Sequence, residues 1–403
     1  MNALRVLFYV QYLEGIGHVV RAGRIAEALA ARGAQITLVF GGEPVPGWAP
    51  PTAGNSCKVV YLPPLRASPE SYSRLMTPDG TPANAAYEAR RRDRLLRAFD
   101  RVRPDVLMIE GYPFGRWAME FELGPLLAHA AGGPAPRPLV LASLRDILQM
   151  PKSPAKAARS VAIYRRHFDG ILVHGDPKLV RLEESFPPVA PFLADAHYTG
   201  IIAPAPPPPG TPPADGFDVI VTGGGGAIAC PLLRAAITAK PATSLRGARW
   251  LALTGPRMAD GDWTRLTGAA DAHEVTLERF RPGLPALMRG ARLSIQRAGY
   301  NTVGDLLVAG CRAVLVPDAD HGQREQPLRA ARLEALGRVT VADEAELSPA
   351  ALAARIEAAL AQDVTRVALD LDGARRTAEI VGALFAAYQR RQPPAKDASG
   401  RRQ

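Results

Sequence analysis

Cysteine is scarce in this sequence. Cys57, Cys230 and Cys311 stand far apart in 403 residues, and no C-x-x-C pairs two of them, so neither a zinc ribbon nor a disulfide scaffold is expected. Long apolar runs are missing as well. None approaches the roughly 18 residues of a membrane-spanning helix. The short apolar run Val6–Val10 is followed by glycines rather than by a small-residue cleavage site, so no signal peptide is expected and a cytoplasmic protein is the default. Lysine is nearly absent: six of the 49 basic residues, which against 39 acidic ones leave a net charge of +10. A basic chain favours nucleic acid, anionic lipid or phosphorylated small molecules. The densest cluster is Arg90, Arg91, Arg92 and Arg94, followed by Arg97, Arg101 and Arg103. At helical spacing these go around the helix, and no aromatic residues interleave with them, so no nucleic-acid partner is expected. The cluster reads as a solvated helix, with peripheral contact to the inner face of a membrane left open.

What is present is ordinary for a globular chain of two domains, with 47% apolar and 22% charged residues. The N-terminal half alternates strand and helix. Arg5–Val10 reads as a buried strand, Val19–Arg32 as a helix stopped at Gly33, and Gln35–Phe40 as the next strand. A helix over Tyr87–Arg101 precedes strands at Val106–Glu110, Leu139–Ser143 and Gly170–His174. Strands separated by helices imply parallel sheets. The Pro-rich stretch 203–216 cannot form a ladder and reads as a linker. The alternation then restarts, with strands at Asp218–Thr222, Ala248–Thr254, Glu274–Phe280, Leu293–Ile295 and Ala313–Pro317. Helices are expected at Asn301–Ala309, Glu325–Leu336, Pro349–Ala361 and Arg375–Arg391. The expected organisation is α/β throughout: an N-terminal domain over 1–202, the linker, a C-terminal domain over 217–391 whose last helix can pack back on the first domain, and a flexible tail over 392–403. Ligands on such sheets bind beyond the carboxyl ends of the strands, so the site is expected in a cleft between two facing domains.

Polar and glycine-rich segments fall at those strand ends. Gly15-Ile-Gly17-His18 follows the first strand and opens the first helix, whose N-terminus favours negative charge. Val20 stands where a dinucleotide fingerprint needs its third glycine. His18 is a candidate proton acceptor from a hydroxyl; a capping or surface histidine is the bland alternative. Gly223, Gly224, Gly225 and Gly226 follow the first strand of the second half without the Lys-Ser or Lys-Thr of a P-loop, and could turn backbone N–H groups toward phosphate. Arg297, Gly299, Asn301 and Thr302 surround the start of a helix, a diphosphate-type site, and Asp305 one turn on is placed to accept from a ribose diol. Glu325 and Gln326, at another helix start, could fork onto sugar hydroxyls or serve only as first-turn residues. In the first half Glu110, Arg145 and Asp146 lie at strand ends and suggest an acceptor pocket. No H-E-x-x-H, G-x-S-x-G or paired Cys/His spacing appears, and no metal is expected.

Together these residues resemble the GT-B glycosyltransferases, in the branch of the peptidoglycan lipid N-acetylglucosaminyltransferase (glycosyltransferase family 28). Gly15-x-Gly17-His18 resembles that branch's first glycine loop and Gly223–Gly226 its second. Arg297-Ala-Gly299-x-x-Thr302-x-x-Asp305 resembles its donor motif, which normally ends in Glu, and is also similar to the donor signature of plant secondary-product glucosyltransferases, which has His in place of Arg297. Glu325-Gln326-x-x-Arg329-Ala330 resembles the acidic-Gln-x-x-Asn-Ala end of these motifs, with Arg329 replacing Asn. The resemblance implies two Rossmann-like domains across a cleft, phosphate contacts from Arg297, Asn301 and Thr302, a ribose contact from Asp305, sugar contacts from Glu325 and Gln326, and a uracil site near Phe280 and Arg281. It implies an inverting transfer from a UDP-sugar, such as a UDP-GlcNAc-like donor, to an unidentified acceptor, without a cofactor. His18 would be the general base, with Glu110 or Asp146 orienting it or touching the acceptor. Gly17-His18-Val19-Val20-Arg21 is also similar to the UDP-sugar hydrolase of the pseudaminic acid pathway. A hydrolase, an epimerase and a non-catalytic sugar-nucleotide binder are the alternatives.

Overall fold

The computed structural model describes residues 3–13, 17–45, 48, 56–68, 71–133, 136–151, 153–208, 216–224, 230–256, 258–318, 324–365 and 367–391. Gly15, Gly225, Gly226, the middle of the Pro-rich stretch (209–215) and the tail from 392 lie outside them. Two parallel sheets form, as the alternation predicts.

The first half contributes β1 (Arg5–Val10), α1 (Gly17–Ala31), β2 (Gln35–Phe40), β3 (Cys57–Tyr61), a hairpin of β4 (Arg66–Ser68) and β5 (Ser71–Met76), α2 (Ala85–Val102), β6 (Val106–Glu110) and α3 (Glu120–Gly132). It continues with β7 (Leu139–Arg145), α4 (Pro154–His167), β8 (Gly170–His174), α5 (Leu182–Ser185) and β9 (Ala196–Tyr198). Seven of these strands make one parallel sheet in the order β3-β2-β1-β6-β7-β8-β9. Its central strands β6 and β8 are buried at every position, which is why they read as unbroken apolar runs rather than as alternating ones.

The second half contributes β10 (Val219–Thr222), α6 (Cys230–Ala239), β11 (Trp250–Leu253), α7 (Asp260–Ala272), β12 (Val275–Glu278), α8 (Leu284–Gly290), β13 (Leu293–Gln296) and α9 (Tyr300–Ala309). After these come β14 (Ala313–Leu315), α10 (Glu325–Ala335), β15 (Thr340–Val341), α11 (Pro349–Ala361) and α12 (Gly373–Arg391). The six strands are parallel in the order β12-β11-β10-β13-β14-β15. Helix boundaries follow local chemistry. Asn84, Ser153 and Ser348 cap α2, α4 and α11 through their side chains, with Pro154 and Pro349 opening the latter two. Gly310, left-handed at φ 74°, ends α9.

The halves share apolar packing where the chain crosses between them. Ile201, Ile202 and Ala203 are buried in one cluster with Tyr300, Val303 and Leu306 of α9 and with Ala378 and Val381 of α12. The Ile202 N–H donates to Tyr300 Oη at 2.8 Å, and Arg24 Nη1 donates to Ile202 O at 3.1 Å. α12 runs back over the first half, packing on α1 and donating from Tyr388 Oη to Arg137 O at 3.1 Å. At its start, a Cβ on Gly373 would lie 2.5 Å from Gly200 O, so only glycine permits this approach. Among the described residues no helix is long and apolar enough to cross a membrane.

Candidate active site

In each sheet the strand order reverses once, between β1 and β6 in the first and between β10 and β13 in the second. Chain connections on either side of a reversal leave in opposite directions and open a crevice at the strand ends. The end of β6 carries Glu110, and the segments that follow β1 and β6 carry His18 and Arg116. Those that follow β10 and β13 carry Gly223, Gly224, Arg297 and Gly299. The two crevices meet: a Cβ on Gly17 would lie 2.6 Å from Asn301 Nδ2. A side chain at position 17 would have to displace the Asn301 amide of the opposite domain.

His18 sits in the first turn of α1 with 24% of its side chain exposed, while Glu110, the last residue of β6, is 3% exposed. His18 Nδ1 lies 2.9 Å from Glu110 Oε1, and Arg21, one turn along α1, donates to the same oxygen. Arg116 Nη2 lies 2.7 Å from His18 Nε2. A guanidinium only donates, and this contact is shorter than those of Arg21 (3.2 Å) and Arg116 (3.4 Å) to Nδ1, so Nε2 is assigned as the acceptor and the proton to Nδ1, facing Glu110. Burial pushes the imidazole down to about 4, against the pull of Glu110 and with help from Arg116. His18 is therefore neutral at physiological pH with its basic lone pair on Nε2. Burial acts to raise the Glu110 carboxyl, but His18 and Arg21 overcome it and hold Glu110 well below the usual carboxylate range. Glu110 Oε2 is buried with no hydrogen-bond partner among the described residues. Of the two carboxylates expected near His18, Glu110 is the one in contact.

Asp146 faces the other way. Its carboxylate receives Arg329 Nη2 at 2.7 Å and Nε at 3.1 Å, a fork from α10 of the second domain. Arg329 also donates to Glu325 at 3.0 Å and to Ala298 O at 2.9 Å, and Arg145 pairs with Glu325. Arg145, Glu325, Arg329 and Asp146 thus form a chain of alternating charge between the domains, buried except at Arg145. Both sugar-binding candidates of α10 are engaged: Glu325 with two arginines, and Gln326 through Oε1, which accepts from Ala298 N at 3.0 Å and Asp318 N at 3.2 Å.

On the donor side the segments converge on Thr302. Its Oγ1 lies 3.9 Å from the Cβ position of Gly224 and 3.8 Å from that of Gly299. Gly224 is left-handed at φ 79°. The N–H of Gly223 is directed at Leu253 O (3.3 Å) and that of Gly224 at Thr222 Oγ1 (3.3 Å). Gly299 caps α9 with no side-chain bond, which leaves first-turn N–H groups at the cleft. Asn301 Oδ1 is buried and has no partner among the described residues. Among the described residues the Arg297 guanidinium donates to Val316 O at 3.3 Å and pairs with Glu344. Phe280 is 69% exposed past the end of β12, and Arg281 pairs with Glu278 and lies over the Phe217 ring at 5.2 Å.

Asp305, one turn beyond Asn301 on α9, faces α1, with Oδ1 3.9 Å from Arg24. Burial raises its carboxyl to about 6, opposed by Arg24. A carboxyl whose folded pKa exceeds its unfolded value binds more protons when folded, so its contribution to stability declines as pH rises from about 4 to about 6. The melting temperature of the wild type minus that of Asp305→Asn is expected to fall across that interval. A difference that stays constant with pH would refute the assignment.

Three residues of this site had no individual role assigned from sequence, although Arg21 and Arg329 stand in the quoted motifs. Arg21 lies three positions after His18, the helical spacing that brings it to the same face. Arg116 and Arg329 are separated from His18 and Asp146 by 98 and 183 positions, and no local pattern announces those pairings.

Residues 219–369 match the family model of the glycosyltransferase family 28 C-terminal domain. Curated relatives include two UDP-N-acetylglucosamine--N-acetylmuramyl-(pentapeptide) pyrophosphoryl-undecaprenol N-acetylglucosamine transferases. That of Methylobacterium radiotolerans is 34% identical over 110 residues, covering 25% of this chain and 30% of the relative. That of Paenarthrobacter aurescens is 35% identical over 133 residues, covering 32% and 34%. The match therefore spans about a third of the length of these relatives. Among solved structures, the calicheamicin glycosyltransferase CalG4 superposes with a TM-score of 0.59 at 17% identity, covering 97% of this chain and all (100%) of that one. Acinetobacter baumannii MurG gives 0.55 at 16% identity, covering 95% and 99%. The two-domain architecture is that of these proteins along nearly its whole length.

Proposed function

We propose that this chain, with a GT-B fold whose C-terminal half is a glycosyltransferase family 28 C-terminal domain, transfers a sugar from a UDP-sugar to an acceptor hydroxyl or amine, with inversion. One observation carries the reading: a neutral histidine, its Nδ1 proton held by a buried carboxylate, stands at the first crevice directly opposite the glycine turn and open helix start of the second. The second domain matches a glycosyltransferase family model, relatives of this chain are named for UDP-N-acetylglucosamine, and a donor of that kind is assigned here.

In this reading the donor diphosphate lies against Thr302 and the N-terminus of α9, where N–H groups and the helix dipole stabilise the charge that develops on the leaving group. Asn301 supplies its free carbonyl oxygen to a donor hydroxyl. Asp305 exchanges Arg24 for the ribose diol, and Phe280 with Arg281 flanks the base. Glu325 and Gln326 reach the sugar once the charged chain between the domains opens. His18 Nε2 takes the acceptor proton while the acceptor atom bonds to the anomeric carbon and the carbon–oxygen bond to the diphosphate breaks, its electron pair leaving with UDP. Glu110 supports the positive charge arriving on the imidazole.

Thermal unfolding with UDP, ADP and GDP tests the donor assignment. UDP present at 100 times its Kd is expected to add about 2.7 kcal/mol to stability, with smaller shifts from the other nucleotides. Equal shifts from all three would sink the uridine assignment. Incubation with UDP-GlcNAc separates transfer from hydrolysis: a transferase releases little free sugar until an acceptor is supplied.

A further inference from the structure

Each of three arginines in the cleft has a carboxylate of its own: Arg21 has Glu110, Arg145 has Glu325 and Arg329 has Asp146. Arg116 differs. Among the described residues its hydrogen bonds go to His18 alone, and no carboxylate lies within ion-pair distance of it. Glu110 attracts it from further away, while Arg145 and Arg21 repel it. A half-buried guanidinium facing a neutral imidazole is a poorly compensated charge.

Its backbone is unusual as well. Arg116 is left-handed at φ 58°, one of three non-glycine residues with positive φ among those described. Arg103, another of the three, closes α2 with its N–H on Phe99 O. Arg116 instead precedes a short turn at Trp117–Met119 and makes no side-chain capping bond. A strained residue that aims a charged side chain at a reactive atom points to function. The atom covered is His18 Nε2, which the transfer reaction needs free. While Arg116 donates to it, that lone pair cannot receive a proton.

We propose that Arg116 is a gate on His18, opened by an acceptor that carries an oxyanion, carboxylate or phosphate, beside its nucleophilic hydroxyl. This rests on the reading of His18 as the base. The anion draws the guanidinium off Nε2, and the hydroxyl donates to the vacated lone pair. As the acceptor oxygen bonds to the anomeric carbon, its proton passes to Nε2 and the electron pair of the breaking bond departs with UDP. Until such an acceptor arrives the base stays covered and water is not activated, so the donor is preserved. Arg116 is a positioning residue, and it selects acceptors by charge.

Diethyl pyrocarbonate acylates unprotonated imidazole nitrogen, and peptide mapping reads its rate at His18 without any need for turnover. At pH 7, Arg116→Ala is expected to raise the His18 rate by more than twofold, with the exposed His129 and the half-buried His273 unchanged as controls of the fold. In wild type, added inorganic phosphate or acetate should raise the His18 rate, and should do nothing further in Arg116→Ala; the stronger of the two identifies the anion. UDP alone should leave the wild-type rate unchanged. Rates within twofold of wild type in Arg116→Ala, or no response of wild type to either anion, would overturn the gate, as would an equal acceleration by UDP alone, which would make the donor the trigger. Failure of the parent reading looks different: His18→Ala would keep full turnover whatever the labelling shows.

Discussion

His18→Ala is expected to lower kcat by about 10²–10⁴-fold, the range for loss of a general base, while UDP binds as before. Turnover is read as UDP release from UDP-GlcNAc in the presence of a competent acceptor. The split between kcat and donor affinity follows from geometry. The Nε2 lone pair belongs to the acceptor crevice, and the glycine turn and α9 hold the donor from the other domain. In wild type the acid limb of kcat/KM should fall near 4, because burial lowers the imidazole to that value; a base must be unprotonated, so activity is lost as pH falls through it. Glu110→Gln keeps an acceptor oxygen for the Nδ1 proton but removes the charge that supports imidazolium, so it should cost less than His18→Ala. Full kcat in His18→Ala would remove it from the chemistry, and an acid limb near 6.5 would show that the imidazole is not desolvated as the structure has it.

The sheets were legible because parallel strands buried on both faces leave a mark that survives without neighbours: short apolar runs such as Val106–Glu110, closed by glycine or proline. Helix starts were legible for the same local reason, and Pro349–Ala361 forms over the expected residues. The edge strand Cys57–Tyr61 and the hairpin after it had no such mark, since half-exposed edge positions tolerate mixed residues. The site divides in the same way. Glycines and a histidine at strand ends are local signals, and His18, Gly17, Asn301 and Thr302 do come together. Which charge pairs with which is a property of the assembled cleft. Asp146 could be placed at a strand end, but its fork from Arg329 depends on how two domains meet. Arg297 shows the converse: its motif position suggests phosphate, and its guanidinium is turned toward Glu344.

Arg91 makes the same point with the largest expected effect on stability. It stands in a run of arginines that reads as one solvated surface, and Arg90, Arg94 and Arg97 are indeed exposed. Arg91 is completely buried, as is Glu122 of α3, each at 0% exposure. Its Nε and Nη2 fork onto the two Glu122 oxygens at 2.9 and 2.7 Å, Nη2 also reaches Gln11 Oε1 at 2.9 Å, and Nη1 serves Gly41 O at 2.8 Å together with Pro63 O. All five guanidinium donors are used, and Tyr9 Oη donates to Glu122 from β1. The helix α2 is thereby fastened to α3, to the central strand β1 and to the turns after β2 and β3. Arg91→Leu strands the Glu122 charge in the core and should cost about 3–5 kcal/mol, the range for breaking one side of a buried pair. At roughly 2–4 °C per kcal/mol for a domain of this size, the first thermal transition should drop by about 6–20 °C. Arg94→Leu on the same helix should move it by little, within about 0.5 kcal/mol. Arg91→Leu combined with Glu122→Leu should recover part of the loss, since the stranded charge is then gone. If Arg91→Leu melts with Arg94→Leu, the buried network is not what holds α2, and the run is the uniform solvated surface that its sequence suggests.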